Sequence, residues 1–199
     1  MGKTVREYQN LSNLPDKGEN IVERWIHCEE KYRGSILSLW VGEVQLEDGK
    51  IFQREVTRHP GGVAIVPVID DAVILIRQFR IAVERDMLEL PAGKLEKGEL
   101  PETCAHRELE EEIGYRAGNM ILATSYFSSV GFTDEKIHIF LGFQLQKVVQ
   151  HLDTDERIQI VQIPIAELEA RLAMNEFEDA KTIIGLRELL AYLQQKNAR

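Results

Sequence analysis

The hydrophobic pattern predicts a strand-rich chain with one conspicuous helix in its middle. Three strand-like runs occupy about 21–29, 34–46 and 51–57, the last two joined by Glu47-Asp48-Gly49-Lys50, a hairpin turn signal. His59-Pro60-Gly61-Gly62 breaks this rhythm and marks a module boundary, dividing an N-terminal β segment, 1–58, from a larger domain, 59–199. The runs 63–69 and 72–79, with Asp70-Asp71 between them, are nearly continuously apolar and β-branched, as strands buried on both faces should be. A polar loop at 81–87, a short strand at 88–90 and the loop Pro91–Leu100 follow. A helix then starts near Pro101 and stops at Gly114. Strands are expected at 119–127, 136–147 and 158–163, and helices at 165–174 and 179–195. Strands on both sides of a central helix, with a terminal helix, predict a mixed α/β sandwich. Residues 1–20 are polar, with turn formers at Asn13, Pro15, Asp16 and Gly18, and are expected to pack loosely.

On the central helix Ala105, Leu109 and Ile113 recur every four residues and are expected to face the core. Glu108, Glu111 and Glu112 stand at i, i+3 and i+4 on the adjoining face, which reads as the wet side. Carboxylates so close repel one another unless a hard divalent cation sits among them. A merely solvated stripe usually alternates in sign, whereas Glu110, Glu111 and Glu112 run together without a lysine. Arg107 is one turn from Glu111 and is placed to reach back to Glu99, bracing loop against helix.

Charge narrows the possibilities. At 199 residues and 44% hydrophobic, the chain can bury a full core, and its net charge of -9 argues against a nucleic-acid or anionic-membrane surface. It leaves room for a small phosphorylated ligand received through bound metal. Cys28 and Cys104 have no zinc-ligand spacing, and Cys104 reads as a buried apolar thiol. The opening run GKTVREYQN is no signal peptide and no apolar segment is long enough to span a bilayer, so a cytoplasmic location is expected.

Residues 93–115 carry Gly93, Glu99, Arg107, Glu108, Glu111, Glu112 and Gly114 at the spacing G-x5-E-x7-R-E-U-x-E-E-x-G-U, with Leu109 and Tyr115 at the apolar positions. This stretch resembles the Nudix box. REVTRHPGGVAIVPV (54–68), LIRQFR (75–80), LELPAGKLEKGE (88–99), GFTDEKIHIFL (131–141) and DAKTIIGL (179–186) resemble the ADP-ribose pyrophosphatase branch of Nudix hydrolases. One departure from that branch is Val130, where proline is common.

The resemblance implies a Nudix-type α/β/α sandwich of mixed sheets preceded by an antiparallel β segment. It also implies Mg²⁺-dependent hydrolysis, with Mn²⁺ as a substitute, of the ADP-ribose pyrophosphate to AMP and ribose 5-phosphate. Other nucleoside diphosphate sugars, such as GDP-mannose or ADP-glucose, are the alternative substrates, and a non-catalytic ligand-sensing module is a further reading. By the same resemblance Glu108 and Glu112 are direct metal ligands, Glu111 binds directly or through water, and the Ala92 carbonyl completes the site. Glu89 either supports that site or is a structural acceptor. Glu135 matches the general base, the alternative being a solvated loop acid. Arg107 belongs with Glu111 and Glu135 in the catalytic group. Arg54 and Arg80 are candidates for phosphate or ribose contacts, or for surface ion pairs, and Arg77 reads as structural. Trp25 and Trp40 are candidates for stacking on adenine, against the commoner role of core or interface residue. A homodimer formed through residues 21–57 is expected.

Overall fold

The computed structural model describes residues 22–152 and 157–198, and the expectation for residues 1–20 lies outside them. Strands β1 (Glu23–Arg33), β2 (Ser38–Leu46) and β3 (Ile51–Arg58) form an antiparallel sheet of their own, in that order. Gly49, at φ +84°, supplies the left-handed residue that the β2–β3 turn needs. β1 extends past 29 to Arg33, because Tyr32 and Arg33 still pair with Leu39 and Ser38 before the chain turns. Register shifts after Trp25 and Glu30 blur the apolar alternation there and hide the strand's length from pattern reading.

The larger sheet runs in the order β10-β5-β4-β9-β8, with β6 on β5 and β7 on β4. Its strands are β4 (Gly62–Ile69), β5 (Ala72–Arg80), β6 (Arg85–Glu89), β7 (Ala92–Lys94), β8 (Tyr115–Phe127), β9 (Lys136–Lys147) and β10 (Ile158–Pro164). β4 and β9 are parallel and the other pairs antiparallel. Helices α1 (Pro101–Ile113), α2 (Ile165–Ala173) and α3 (Ala180–Asn197) cover the two faces. Val63, Ile65, Ile74 and Ile76 pack with Cys104, Ala105, Leu109 and Ile113 of α1. The alternate residues Ala64, Val66, Val73 and Leu75 pack with Leu168 of α2 and Leu186 and Leu189 of α3. Two-sided burial explains why β4 and the first five residues of β5 are continuously apolar, each large side chain contributing about 1.5–3 kcal/mol. This is the α/β/α sandwich of mixed sheets that the resemblance implied.

β2 begins at Ser38 rather than 34, and three boundaries in the larger sheet also differ from the pattern. The short strand expected at 88–90 is five residues, Arg85–Glu89, because the polar Arg85 and Asp86 pair with Arg80 and Phe79. β7 forms inside the expected loop, where Ala92, Gly93 and Lys94 pair with Ala64, Val63 and Gly62. β8 begins at Tyr115 rather than 119, since Gly114 turns the chain straight into the sheet. Among the described residues no helix is long and apolar enough to cross a membrane.

Candidate active site

α1 is built by simple local rules. Pro101 opens it, Glu102 sits in its first turn, and Gly114 closes it at φ 69° with its N–H on the Glu110 carbonyl. Glu108 and Glu112 do not lie on a wet face. They are 8% and 2% exposed, because β7 crosses over the helix and covers them. The Ala92 N–H donates to Glu112 Oε2 at 2.8 Å. Gly93 lies so close to the Glu108 carboxyl group that a Cβ there would overlap it. Glu111 keeps 39% of its side chain exposed.

Arg107 braces this cluster as its spacing suggested. Its Nε and Nη2 donate to the two Glu99 oxygens at 3.0 Å each, and Nη1 donates to Glu108 Oε1 at 2.7 Å and Glu111 Oε2 at 3.0 Å. Nη2 also reaches the Lys94 carbonyl at 3.3 Å, tying β7 to the helix. The Arg107 hydrogen bonds hold the Glu99 carboxyl down to about 2, outweighing desolvation. Burial pushes the Cys104 thiol up to about 12, which keeps it unreactive.

A pH prediction follows for this brace. Glu99 has a folded pKa near 2 against an ordinary 4.5, so its stabilisation is complete above 4.5 and is lost as pH falls towards 2. Glu99→Gln is expected to be less stable than wild type at pH 7, by about 1–3 kcal/mol. Melting curves across pH should show the two proteins converge below pH 4.5. A gap that persists at pH 2 would mean the ion pair is not its source.

A second buried acid lies alongside. Glu89, 3% exposed, receives Arg80 Nε at 2.6 Å and Nη2 at 3.1 Å, and is also bonded by Lys181. Burial would raise the Glu89 carboxyl, but Arg80 and Lys181 overcome it and hold the group below its usual range. Arg80 is raised, chiefly by its bond to Glu89 and further by the charges of Glu112 and Asp179. Arg80 therefore lies in the field of Glu112 and Asp179 as well as Glu89. Asp179 caps α3 through the Thr182 N–H at 2.9 Å, and Thr182 Oγ1 accepts the Leu90 N–H at 2.9 Å. Lys181 and Thr182 had no assigned role in the sequence reading. Asp179 as a cap just before a helix was the available signal.

Glu135 lies on the loop between β8 and β9. Its N–H donates to Thr133 Oγ1 at 3.1 Å, its carbonyl receives the Ser128 N–H at 3.0 Å, and His59 Nδ1 lies 3.4 Å from its Oε1. The first residue of β4, Gly62, pairs with Lys94 on one side and Ile137 on the other. The Glu135 loop and the β7 segment thus flank the same end of β4. Burial pushes Tyr126 up to about 12, with added contributions from the charges of Asp179 and Glu135.

Arg54 and Trp25 stand elsewhere within the single chain. Arg54 on β3 pairs with Glu23 at 2.6 Å and lies 6.0 Å from the Phe52 ring centre. Trp25 is half-buried on β1, and Trp40 donates to Ser38 Oγ at 3.0 Å.

The donor set suits a hard cation. Among the described residues no three acidic, histidine or cysteine side chains already converge on one point, since Arg107 draws Glu108 and Glu111 while the Ala92 N–H draws Glu112. Glu108 and Glu112 nevertheless present buried carboxylate oxygens one turn apart beneath a glycine that leaves them room. Oxygen donors of this kind match Mg²⁺ or Mn²⁺ rather than a soft metal.

A two-faced mixed sandwich with an Arg-braced glutamate helix under a glycine strand defines a class, and the chain belongs to it: residues 58–185 match the NUDIX domain, so this is a Nudix-family protein. It is similar to the ADP-ribose pyrophosphatase of Bacillus subtilis, at 39% identity over 183 residues covering 90% of this chain and 97% of that one. It is also 35% identical over 184 residues to the methanol dehydrogenase activator of Bacillus methanolicus, covering 91% and 97% of the two chains. A crystal structure of an ADP compounds hydrolase shares the fold, with a TM-score of 0.79 at 22% identity over 87% of this chain and 95% of that one.

Proposed function

We propose that the protein is a Mg²⁺-dependent pyrophosphatase that splits ADP-ribose into AMP and ribose 5-phosphate, Mn²⁺ serving as a substitute. The observation that carries this reading is the buried Glu108–Glu112 pair under the Ala92–Gly93 segment. The substrate rests on the similarity to the Bacillus subtilis enzyme. Glu108, Glu112 and the Ala92 carbonyl would hold the cation, with Glu111 binding directly or through water. When bound, the cation supplies positive charge to the pyrophosphate and acidifies a water. Arg107 holds Glu108 and Glu111 together and braces them against Glu99. Arg80, oriented by Glu89, contacts phosphate oxygens with its free edge. Glu135 accepts a proton from the attacking water.

Residues 1–58 serve as a dimerising segment and 59–199 as the hydrolase domain. Exposed Ile26, Tyr32, Ile36, Ile51 and Phe52 around the three-stranded sheet suit a cover by a second copy, which would carry Trp25 and Arg54 to the partner's substrate. The acidic chain has neither a nucleic-acid nor a membrane partner, and its two free thiols suit the cytoplasm.

The test is a panel of ADP-ribose, ADP-glucose and GDP-mannose in Mg²⁺, scored by kcat/KM with product identification. ADP-ribose should rank first and yield AMP. A preference for a hexose-linked nucleotide would overturn the substrate, and binding without turnover would make the chain a sensing module.

A further inference from the structure

Lys181 stands in the first turn of α3, just after the cap Asp179. Its Nζ donates to Glu89 Oε2 and lies 3.0 Å from Asp179 Oδ1, and only 17% of its side chain is exposed. The next residue, Thr182, accepts the Leu90 N–H, so the start of α3 is fastened to Glu89 and Leu90 at successive positions. Arg80 Nε and Nη2 donate to the same Glu89 carboxylate from β5. Among the described residues Arg80 and Lys181 are the groups bonded to that carboxylate, and Arg80 Nη1 has no acceptor. Arg80 keeps 39% of its side chain exposed, against 4% for Glu89, so Arg80 is the outer member of the trio.

Two parallel bonds fix a guanidinium relative to its carboxylate, but they do not fix the pair relative to the protein. A glutamate side chain can turn until a further bond holds it. Lys181 supplies that bond from α3, and Asp179 holds Lys181 in place. The ammonium also takes up part of the carboxylate's charge, which leaves Arg80 more of its own. We propose that Lys181 is a positioning residue for the pyrophosphate: it anchors Glu89, and Glu89 sets the free edge of Arg80 towards the phosphate oxygens. This rests on the reading of Arg80 as a phosphate contact, and it makes the first turn of α3 part of the substrate site.

The test is steady-state kinetics with ADP-ribose and Mg²⁺ on a double-mutant cycle of Lys181→Met and Glu89→Gln, with Arg80→Ala alongside. Lys181→Met should raise KM about tenfold while kcat stays within about threefold. In the Glu89→Gln background the same change should move KM less than about twofold, because the carboxylate linking Lys181 to Arg80 is gone. If Lys181→Met does not fold, Lys181→Gln replaces it, being neutral but polar and so milder for the buried Glu89, with the same pattern expected. An equal rise of KM in both backgrounds would mean that Lys181 acts on the substrate without Glu89, and would overturn the proposal. A lowered Tm with unchanged KM, or a loss confined to kcat, would overturn it as well, and all three results leave Arg80 as a phosphate contact. An unchanged KM in Arg80→Ala would overturn both readings together.

Discussion

Glu112→Gln is expected to lower kcat/KM on ADP-ribose by about 10³-fold or more, roughly 4 kcal/mol of transition-state stabilisation, while Tm moves only a few degrees. The separation of the two effects comes from the geometry. Gln has nearly the volume of Glu, and its amide oxygen can still accept the Ala92 N–H that Glu112 receives at 2.8 Å. The Ala92 N–H therefore keeps its acceptor. Arg80 loses some favourable field but keeps its paired bonds to Glu89. Removing a charge from a site 2% exposed even relieves desolvation. What disappears is the negative charge proposed to hold the cation, so the loss should fall on turnover. Steady-state kinetics and melting curves on the same preparation check both halves. Near-normal turnover would remove Glu112 from the metal site. Glu112→Ala should differ by losing Tm as well, because it leaves the Ala92 N–H unpaired and opens a cavity.

The contrast between what was readable in the chain and what was not has a physical basis. α1 was legible because Pro101 and Gly114 punctuate it and Ala105, Leu109 and Ile113 recur on one face. β4 and the first five residues of β5 were legible because burial on both faces leaves no polar position among them. The Arg107–Glu99 brace could be anticipated because its partners are eight residues apart. The burial of Glu108 and Glu112 could not. It depends on β7, whose Ala-Gly-Lys has no strand propensity and is extended only because β4 offers an edge. Glu89 had the same difficulty, since its partner Lys181 lies 92 residues away on α3. His59 belongs to a break in the pattern, His59-Pro60-Gly61-Gly62. Its meeting with Glu135 arises from the parallel pairing of β4 and β9, a long-range feature no local signal announces.

Gly93→Ala should be damaging too, though less than Glu112→Gln, for a reason of space. Gly93 has no unusual φ, so alanine strains no backbone torsion. Its methyl group would instead overlap the carboxyl carbon and both oxygens of Glu108. The neighbour that must give way is the far end of a side chain, not backbone, so the fold can adjust by swinging Glu108 aside. That movement breaks the 2.7 Å contact with Arg107 Nη1 and withdraws a proposed metal ligand. Activity is therefore expected to fall by about 10²-fold, with the Mg²⁺ concentration for half-maximal rate raised about tenfold. Tm should drop modestly, because β7 keeps its pairing with β4. A Mg²⁺ titration of the rate separates this from general damage. A misfolded fraction would lower the maximal rate at an unchanged Mg²⁺ midpoint, whereas a displaced ligand moves the midpoint. Wild-type activity with an unmoved midpoint would show that Glu108 need not lie beneath Gly93 for the reaction to proceed, and the cation would then have to be held by other groups.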